Sequence, residues 1–254
     1  MATSVLDIAP GAQLDLLSPP DRAHPHLVDP TGAPLELDAA HRDALELRVR
    51  AVPAHYEPAK RSFDILAAIV LALVTSPVIL LALAAVKLSS PGPVIFRQTR
   101  VGRGSRTFTC YKFRTMTADA EQRITDDHQL RETFVHSWKI DGDPRITRVG
   151  KLLRKLSIDE LPQLWNVLRG EMSLVGPRPV QPAELEQHYG EMAPVVFCVP
   201  PGITGLWQVS GRSSVTYAER VQIDLDYVRR RGMLFDVRIV LRTLPVVLFG
   251  RHAK

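Results

Sequence analysis

The acidic pair Asp159-Glu160 draws attention because basic residues surround it. Two neighbouring carboxylates can supply a nucleophile, and they can bind a divalent ion such as Mg²⁺. The basic residues that precede and follow the pair are Arg145, Arg148, Lys151, Arg154, Lys155 and Arg178. This density of positive charge is typical of a site for an anionic, phosphate-bearing ligand. The pattern therefore indicates carboxylate chemistry beside a phosphate, with both acids as candidate catalytic residues and metal ligands.

The same two acids are also compatible with a purely structural role. Ser157 can cap a helix, Glu160 follows it by three residues, and apolar residues at helical spacing continue to Leu168. In that interpretation Glu160 belongs to a capping box, and the helix dipole favours Asp159 in the first turn. Pro162 would be tolerated in that first turn. This segment alone does not decide between the two interpretations.

A second basic cluster lies earlier in the chain, in the motif YKFRTM. Val94–Phe96 and Thr107–Phe113 are predicted to form short strands around a tight turn at 102–105. Strand alternation would place Lys112 and Arg114 on one face of the second strand. Two adjacent cations on a strand are compatible with a solvated face or with a phosphate contact.

Elements that could hold these residues at a membrane come from the apolar segments. Residues 65–86 contain no charged residue, yet Ser76-Pro77 interrupts the segment at its midpoint. A proline removes a backbone hydrogen bond and bends a helix, so each half would reach only about half of the hydrocarbon depth. Basic residues flank both ends, which favours a helix that enters the membrane, breaks and returns to the cytosolic face. The segment 233–249 is predicted to be an interfacial amphipathic helix.

Charge and composition separate the N-terminal part from the remainder. Residues 1–60 have a net charge of −4, whereas residues 61–254 have +9. A basic region of this kind suits nucleic acid, a membrane surface or a phosphorylated substrate. The two cysteines, Cys110 and Cys198, have no metal-ligand spacing and fit a reducing cytosol. Residues 1–59 are proline-rich without sustained periodicity, and we expect a poorly structured lead-in that is not a signal peptide.

Several long motifs resemble one family. They are KRSFDILAAIVLALVTSPVILLALAAVKLSSPGPVIFRQTRVG, YKFRTM, DPRITRVGKLLR, SIDELPQLWNVLRGEMSLVGPRP and PGITGLWQVSGR. In this order they resemble the bacterial sugar transferases, which are the monotopic phosphoglycosyl transferases or polyprenyl glycosylphosphotransferases. The resemblance extends from about Lys60 to the C-terminus. It predicts an α/β protein, mainly helical with short strands, in which residues 60–88 form a re-entrant membrane hairpin and residues 89–254 form a catalytic domain.

The resemblance implies an enzyme of the EC 2.7.8 type that acts at the cytosolic face of the bacterial inner membrane. Such enzymes transfer a sugar phosphate from a UDP-sugar to a polyprenyl (undecaprenyl) phosphate and release UMP, the first membrane step of exopolysaccharide or glycoconjugate assembly. It implies that Asp159 is the nucleophile, giving an aspartyl-phosphosugar intermediate, and that Glu160 helps to position Mg²⁺ or the lipid phosphate. The residues expected to contact the phosphates or nucleotide, or to lie near them, are Lys112, Arg114, Arg145, Arg154, Arg178, Arg212 and Asp236. Ser76 and Pro77 match the family's helix break.

Two features depart from the family pattern. Long members carry four membrane spans ahead of the catalytic part, which residues 1–59 do not contain, and short members begin almost at the hairpin. The motif WQVSGR and the terminal helix resemble the long, exopolysaccharide-type members, which favours glucose- or galactose-1-phosphate as the transferred group. The sequence leaves a homodimer open.

Two other function classes are compatible with parts of the sequence. A membrane-tethered binding or scaffold protein without turnover would be expected to lack the dyad or its arginines, and all are present. A nucleic-acid-binding protein is disfavoured by the apolar hairpin and by the lack of any helix-turn-helix or zinc-finger spacing. We therefore expect no nucleic-acid partner.

Overall fold

The computed structural model describes residues 53–126, 142–210 and 216–249. The predicted class is confirmed for these residues: they are mainly helical and contain a few short strands. The predicted lead-in at residues 1–59 lies outside the described residues up to residue 52, and its last four residues, 56–59, belong to a helix instead. Arg212 also lies outside the described residues.

The elements are numbered in chain order. The helices are α1 Tyr56–Val74, α2 Ser76–Ser89, α3 Ala120–Asp126, α4 Arg148–Lys155, α5 Gln163–Arg169, α6 Pro182–His188, α7 Ala193–Val196, α8 Leu206–Ser210, α9 Tyr217–Arg230 and α10 Met233–Phe249. The strands are β1 Ile95–Val101, β2 Thr107–Phe113, β3 Ser173–Val175 and β4 Gly202–Thr204. Short 3-10 turns occupy 103–105, 158–160 and 190–192.

Helices α1 and α2 form a bent pair, the α1–α2 hairpin, across the predicted helix break. The helix is interrupted at Thr75, and Pro77 lies in the first turn of α2, which confirms the predicted helix break. The hydroxyls of Thr75 and Ser76 donate to the carbonyls of Leu71 and Leu73, at 2.6 and 2.8 Å. These bonds satisfy carbonyls near the end of α1. An unpaired carbonyl costs most free energy in apolar surroundings, where no water can bond it.

The hairpin exposes a large apolar surface. Within the described residues no single helix is long and apolar enough to cross a bilayer, whereas α1 and α2 together meet that test across a 63° bend. The exposed apolar side chains of the pair include Leu66, Ile69, Val70, Leu71, Leu73, Val74, Val78, Leu80, Leu81 and Leu88. Exposed apolar patches of this kind mark interaction surfaces, membranes among them.

The base of the hairpin is polar and is bonded to the protein core. Arg61 in α1 donates to the carbonyls of Val167 and Leu168 at the C-terminal end of α5, at 2.6 and 2.9 Å. The Asp64 carboxylate accepts the backbone N–H of Leu174 in β3 at 3.1 Å. These contacts fix α1 against the segment that follows the acidic dyad.

Strands β1 and β2 pair in antiparallel register, with Ile95 opposite Phe113 and Val101 opposite Thr107. The first strand is longer than the predicted Val94–Phe96, and the predicted second strand is confirmed. Because even-numbered residues share one face, Arg100, Cys110 and Lys112 lie on the same side of this hairpin.

The capping-box interpretation of the dyad is wrong. Ser157 adopts a left-handed conformation with φ 56° and makes no side-chain cap. Residues 158–160 form a 3-10 turn, and α5 begins only at Gln163, after Pro162. The Glu160 carboxylate instead accepts a bond from Lys112, so a long-range ion pair replaces the local cap.

The segment 199–210, which contains most of the motif PGITGLWQVSGR, carries regular structure. It contains β4, which pairs in parallel with β3, and α8. A Cβ at Gly176 would overlap the backbone around Pro200 and Gly202. This close approach positions the loop after β3, which carries Arg178.

The last two helices complete the fold. A capping box begins α9, because Thr216 and Glu219 bond reciprocally. Helix α9 buries Val221, Leu225 and Val228 in the core. Helix α10 buries Ile239 and exposes an apolar stripe that consists of Leu234, Val237, Leu241 and Leu244. This pattern has the amphipathic form expected of an interfacial helix.

Candidate functional site

The acidic dyad lies in a short turn between α4 and α5. Asp159 is only 9% exposed, and Glu160 packs beside it in the same 3-10 turn. The left-handed Ser157 reverses the chain after α4, and Pro162 ends the turn before α5. The local sequence thus presents both carboxylates at a chain reversal, outside any regular helix.

Two of the predicted cations meet Glu160. The Lys112 ammonium, on β2, donates to the Glu160 carboxylate at 2.8 Å, and the Arg178 guanidinium lies 3.9 Å from the same oxygen. Burial alone would raise the pKa of Glu160, but the charges of Lys112 and Arg178 lower it to about 2. Glu160 is therefore ionised throughout the neutral range.

The neighbouring Asp159 carboxyl behaves in the opposite way. Burial, together with the charge of Glu160, raises the pKa of Asp159 to about 6, against the lowering effect of Lys112, Arg154 and Arg178. Two adjacent carboxyls whose pKa values are pushed apart can serve different roles in one reaction. At neutral pH Asp159 is mostly ionised, and it is more basic than an ordinary aspartate.

Helix α4 brings Arg154 to the dyad. The Arg154 Nε donates to the Thr115 hydroxyl at 2.8 Å, which orients the guanidinium. Gly150 allows this approach, since a Cβ there would overlap the Thr115 backbone. Burial lowers the pKa of Arg154, and the charge of Asp159 acts in the opposite direction. Arg154 thus contributes positive potential on the Asp159 side of the dyad.

A small cleft opens beside the dyad, and its lining is strongly basic. It is lined by Arg100, Cys110, Lys112, Glu160, Gln163, Arg178, Pro179, Gly202 and Ile203. Three cations around one carboxylate provide a net positive surface for a diphosphate. The Arg178 guanidinium also lies 5.6 Å from the centre of the Trp207 ring, which restricts its orientation.

The residues of the dyad can accommodate Mg²⁺ in the manner typical of phosphoryl-transfer sites. Such sites bind Mg²⁺ through one or two carboxylates together with substrate phosphates, without a dedicated cage of protein ligands. The described residues contain no group of three or more His, Cys, Asp or Glu suited to a metal ion. Asp159 and Glu160 fit the carboxylate part of that ligand set.

Comparison with known proteins agrees with this chemistry. The sequence model of the family described as bacterial sugar transferase matches residues 55–250. The chain belongs to the bacterial sugar transferase family. Among its relatives, the exopolysaccharide production protein ExoY of Rhizobium meliloti is 46% identical over 197 residues, which cover 76% of this chain and 87% of that protein.

Longer sugar transferases also match. The undecaprenyl-phosphate galactose phosphotransferase of Salmonella typhimurium is 42% identical over 193 residues, and these cover 74% of this chain. The undecaprenyl-phosphate glucose phosphotransferase of Komagataeibacter xylinus is 42% identical over 204 residues, covering 76% of this chain. The match spans only 40% and 36% of those two proteins, respectively.

Three predicted site residues of this sugar transferase lie away from the dyad's direct contacts. Arg114 is buried and donates to the carbonyl and hydroxyl oxygens of Ser90, at 2.7 and 3.0 Å. Arg145 is buried and makes a two-pronged contact with the Asp143 carboxylate, at 2.8 and 2.6 Å. In this structure both arginines hold the protein's own groups, Arg114 at the end of α2 and Arg145 in the turn before α4.

The third of these residues, Asp236, is completely buried in α10. Its carboxylate accepts bonds from the hydroxyls of Tyr56 and Tyr227, at 3.1 and 3.0 Å, and lies 3.5 Å from the Lys60 ammonium. This cluster joins α10 and α9 to the base of the α1–α2 hairpin. The contacts identify Asp236 as a residue that holds helices together in this sugar transferase.

Sequence reasoning missed two residues of the cleft, Arg100 and Gln163. Arg100 donates to the Pro179 carbonyl at 3.1 Å and lies 3.6 Å from Glu184. Burial and the charge of Arg178 lower its pKa to about 10, so Arg100 remains charged at neutral pH. Strand alternation places Arg100 on the same face as Lys112, and this pattern could have indicated Arg100 as a site residue. Gln163 follows Glu160 by three residues, which is a helical spacing.

Proposed function

We propose that this protein transfers a sugar-1-phosphate from a UDP-sugar to a polyprenyl phosphate such as undecaprenyl phosphate, and releases UMP. The observation that carries the proposal is the pairing of a buried, unusually basic Asp159 with an ionised Glu160 inside a ring of cations. The names of the Salmonella and Komagataeibacter relatives support the acceptor and the reaction type. They also favour glucose or galactose as the sugar.

In the first step the Asp159 carboxylate attacks the sugar-proximal phosphorus of the UDP-sugar. A new bond forms between the carboxylate oxygen and phosphorus, while the bond to the bridging oxygen breaks. UMP leaves with that electron pair, and the product is an aspartyl-phosphosugar. The raised pKa of Asp159 makes its carboxylate a better nucleophile than an ordinary aspartate, while leaving it mostly ionised at neutral pH.

In the second step an oxygen of the polyprenyl phosphate attacks the same phosphorus. The acyl–phosphate bond breaks, the carboxylate of Asp159 is regenerated, and the sugar leaves on a polyprenyl diphosphate. Splitting the reaction in this way allows a soluble nucleotide sugar and a lipid to use one site in turn. No proton transfer is required when the lipid phosphate is fully ionised.

The cations of the cleft stabilise the charge that moves during both steps. Lys112 and Arg178 lie beside Glu160, and Arg100 lies on the same strand face as Lys112. Preorganised positive groups of this kind stabilise developing phosphate charge without reorganisation. Bound Mg²⁺ would neutralise the diphosphate, with Asp159 and Glu160 as the residues that hold it. Arg212 is proposed as a further nucleotide or phosphate contact on the strength of the family resemblance.

A re-entrant hairpin would place this site at the cytosolic face of the bacterial inner membrane. The supporting features are the bend at Thr75, the capped carbonyls of Leu71 and Leu73, and the exposed apolar surface of α1 and α2. The exposed stripe of α10 would lie in the interface beside it. At that position both the soluble donor and the lipid acceptor can reach the dyad.

The proposal is tested by UMP release from purified protein in detergent, with Mg²⁺, undecaprenyl phosphate and a panel of UDP-sugars. We expect release with one or a few donors, and we expect Asp159→Asn to abolish it. Intact-mass measurement without the lipid acceptor should detect one phosphosugar on the wild type and none on the variant. Full activity in Asp159→Asn, after deamidation has been excluded, would refute the covalent mechanism. A wild type that is folded and silent with every donor would favour a binding protein without turnover.

A further inference from the structure

Gln163 has an unusual environment for a buried glutamine. It is only 2% exposed and lines the cleft beside Glu160, Lys112 and Arg178. No described residue forms a hydrogen bond with its side-chain amide, and the amide is not among the fully buried polar atoms that lack a partner, so it has access to the open space of the cleft.

Asn166, one helical turn further along α5, provides the contrast. Its amide accepts from the Tyr111 N–H at 3.1 Å and donates to the Thr109 carbonyl and the Glu171 carboxylate, each at 2.7 Å. The side-chain amide of Asn166 therefore has protein partners for its hydrogen bonds. If residue 163 served only to fill space, an apolar side chain would do so at a lower cost in free energy, because the glutamine amide gains no hydrogen bond from the described residues.

The chemistry of the cleft separates Gln163 from its neighbours. Arg100, Lys112 and Arg178 supply charge, which suits phosphate oxygens. The glutamine amide is neutral and offers two donors and one acceptor, which suits a neutral group that both donates and accepts. A sugar hydroxyl is such a group, and every hexose carries several.

The position of Gln163 agrees with a sugar contact. It is the first residue of α5, directly after the turn that carries the dyad, and it lines the cleft together with Glu160. In the proposed reaction the sugar is bonded directly to the phosphorus that Asp159 attacks, whereas the uridine lies beyond the departing phosphate. A side chain that lies beside the dyad is thus closer to the sugar than to the uracil base.

We propose that the side-chain amide of Gln163 hydrogen-bonds a hydroxyl of the donor sugar and thereby contributes to sugar selectivity. This inference rests on the proposed function, because it takes the cleft to be the site of a nucleotide sugar. A buried polar group that is satisfied only by the correct substrate discriminates against analogues that lack the matching hydroxyl. For one hydrogen bond between neutral groups the expected discrimination is roughly tenfold.

The test compares the preferred UDP-sugar with its four single-deoxy analogues, in the wild type and in Gln163→Met. Methionine keeps nearly the volume of glutamine and removes the hydrogen bonds. We expect kcat/KM of the wild type to fall roughly tenfold for one of the deoxy donors. Gln163→Met should use the parent donor and that deoxy donor almost equally, while its ratios for the other three analogues should match the wild type. Gln122→Ala, at an exposed glutamine of α3, is the control and should retain the wild-type ratios.

Two results would overturn the inference. Unchanged ratios for all four deoxy donors in Gln163→Met would show that Gln163 contacts no sugar hydroxyl. An equal loss for every donor, including each deoxy analogue, would show a role in phosphate binding or in folding. The Tm of Gln163→Met separates these last two causes, because a folding defect would lower it whereas the loss of a phosphate contact would not.

A binding measurement distinguishes failure of this inference from failure of the proposed function. Dissociation constants of the parent and deoxy donors are measured calorimetrically on Asp159→Asn and on Asp159→Asn combined with Gln163→Met. Discrimination that is present in the first protein and lost in the second supports the sugar contact, even if the wild type shows no transfer. Equal discrimination in both proteins contradicts the contact, whatever the wild type's turnover.

Discussion

The buried Asp159 carboxyl should make the protein less stable than an uncharged residue at that position would. Its pKa is raised from an ordinary 3.8 to about 6, and the side chain is almost inaccessible. Because the folded-state pKa lies above the unfolded-state value, folding is favoured by the protonated form. The stability that this group contributes is thus fully present below about pH 4 and is lost as the pH rises through 6.

The substitution Asp159→Asn keeps the shape of the side chain and removes its ionisation. A shift of about 2 pKa units corresponds to roughly 3 kcal/mol at pH 8, and the linkage relation reduces this to about half at pH 5. This figure is an upper value, since relaxation around the charged pair lowers it. For a chain of this size, we expect the variant's Tm to exceed that of the wild type by about 5–10 °C at pH 8. The increase should be clearly smaller at pH 5.

The measurement is thermal unfolding of both proteins in the same detergent at the two pH values. Asp226→Asn serves as the matched control, because Asp226 is exposed on α9 and pairs with the exposed Arg229 at 3.7 Å. Its Tm should equal that of the wild type, as exposed ion pairs contribute little. A lower Tm for Asp159→Asn at pH 8, or an identical increase at both pH values, would refute the reasoning about the buried charge.

Four further predictions concern the site and its supports. In the lipid-free first step, the rate of UMP release should fall about tenfold per pH unit below 6, and Glu160→Gln should move this limb to lower pH; a limb that stays in place would contradict the coupling. Asn166→Leu should destabilise the fold by roughly 1–3 kcal/mol in urea unfolding, because two partly buried backbone groups lose their partner. Gly176→Ala should lower transfer activity at least about tenfold through backbone overlap, whereas Gly232→Ala, which has open space, should not. Leu73→Lys, at the exposed end of α1, should reduce membrane association in fractionated cells, and recovery in the membrane fraction equal to wild type would argue against the hairpin's insertion.

Features that depend on local sequence were predictable. The break at Ser76-Pro77 follows from the missing proline N–H, and the structure places it one residue earlier, at Thr75. The capping box at Thr216 follows from a three-residue spacing and is present. The strand Thr107–Phe113 follows from alternation and is found with the predicted bounds. Each of these signals is complete within a few residues of the chain.

The site depends on long-range partners, and there the sequence was less informative. The spacing of Ser157 and Glu160 matches a capping box, but the Glu160 carboxylate instead accepts a hydrogen bond from Lys112, which is 48 residues away. Arg145 counted as one of the cations of the site, yet it satisfies Asp143 two residues before it. A list of charges near a motif does not show which of them already have partners. Gln163 was overlooked for the converse reason, since a missing partner is visible only in three dimensions.

The polar base of the hairpin has a consequence for how the protein sits in its membrane. Asp64 is bonded to β3, and the bend at Thr75 lies eleven residues further along α1, a distance of about 16 Å in a straight helix. Since α1 cannot slide relative to the core, this number of residues sets the height of the dyad above the deepest point of the hairpin. In the proposed re-entrant arrangement, the length of this one helix would set the level of Asp159 relative to the lipid phosphates. Adding or removing a turn between these two points would shift the dyad by about 5 Å relative to its acceptor without altering any residue of the cleft.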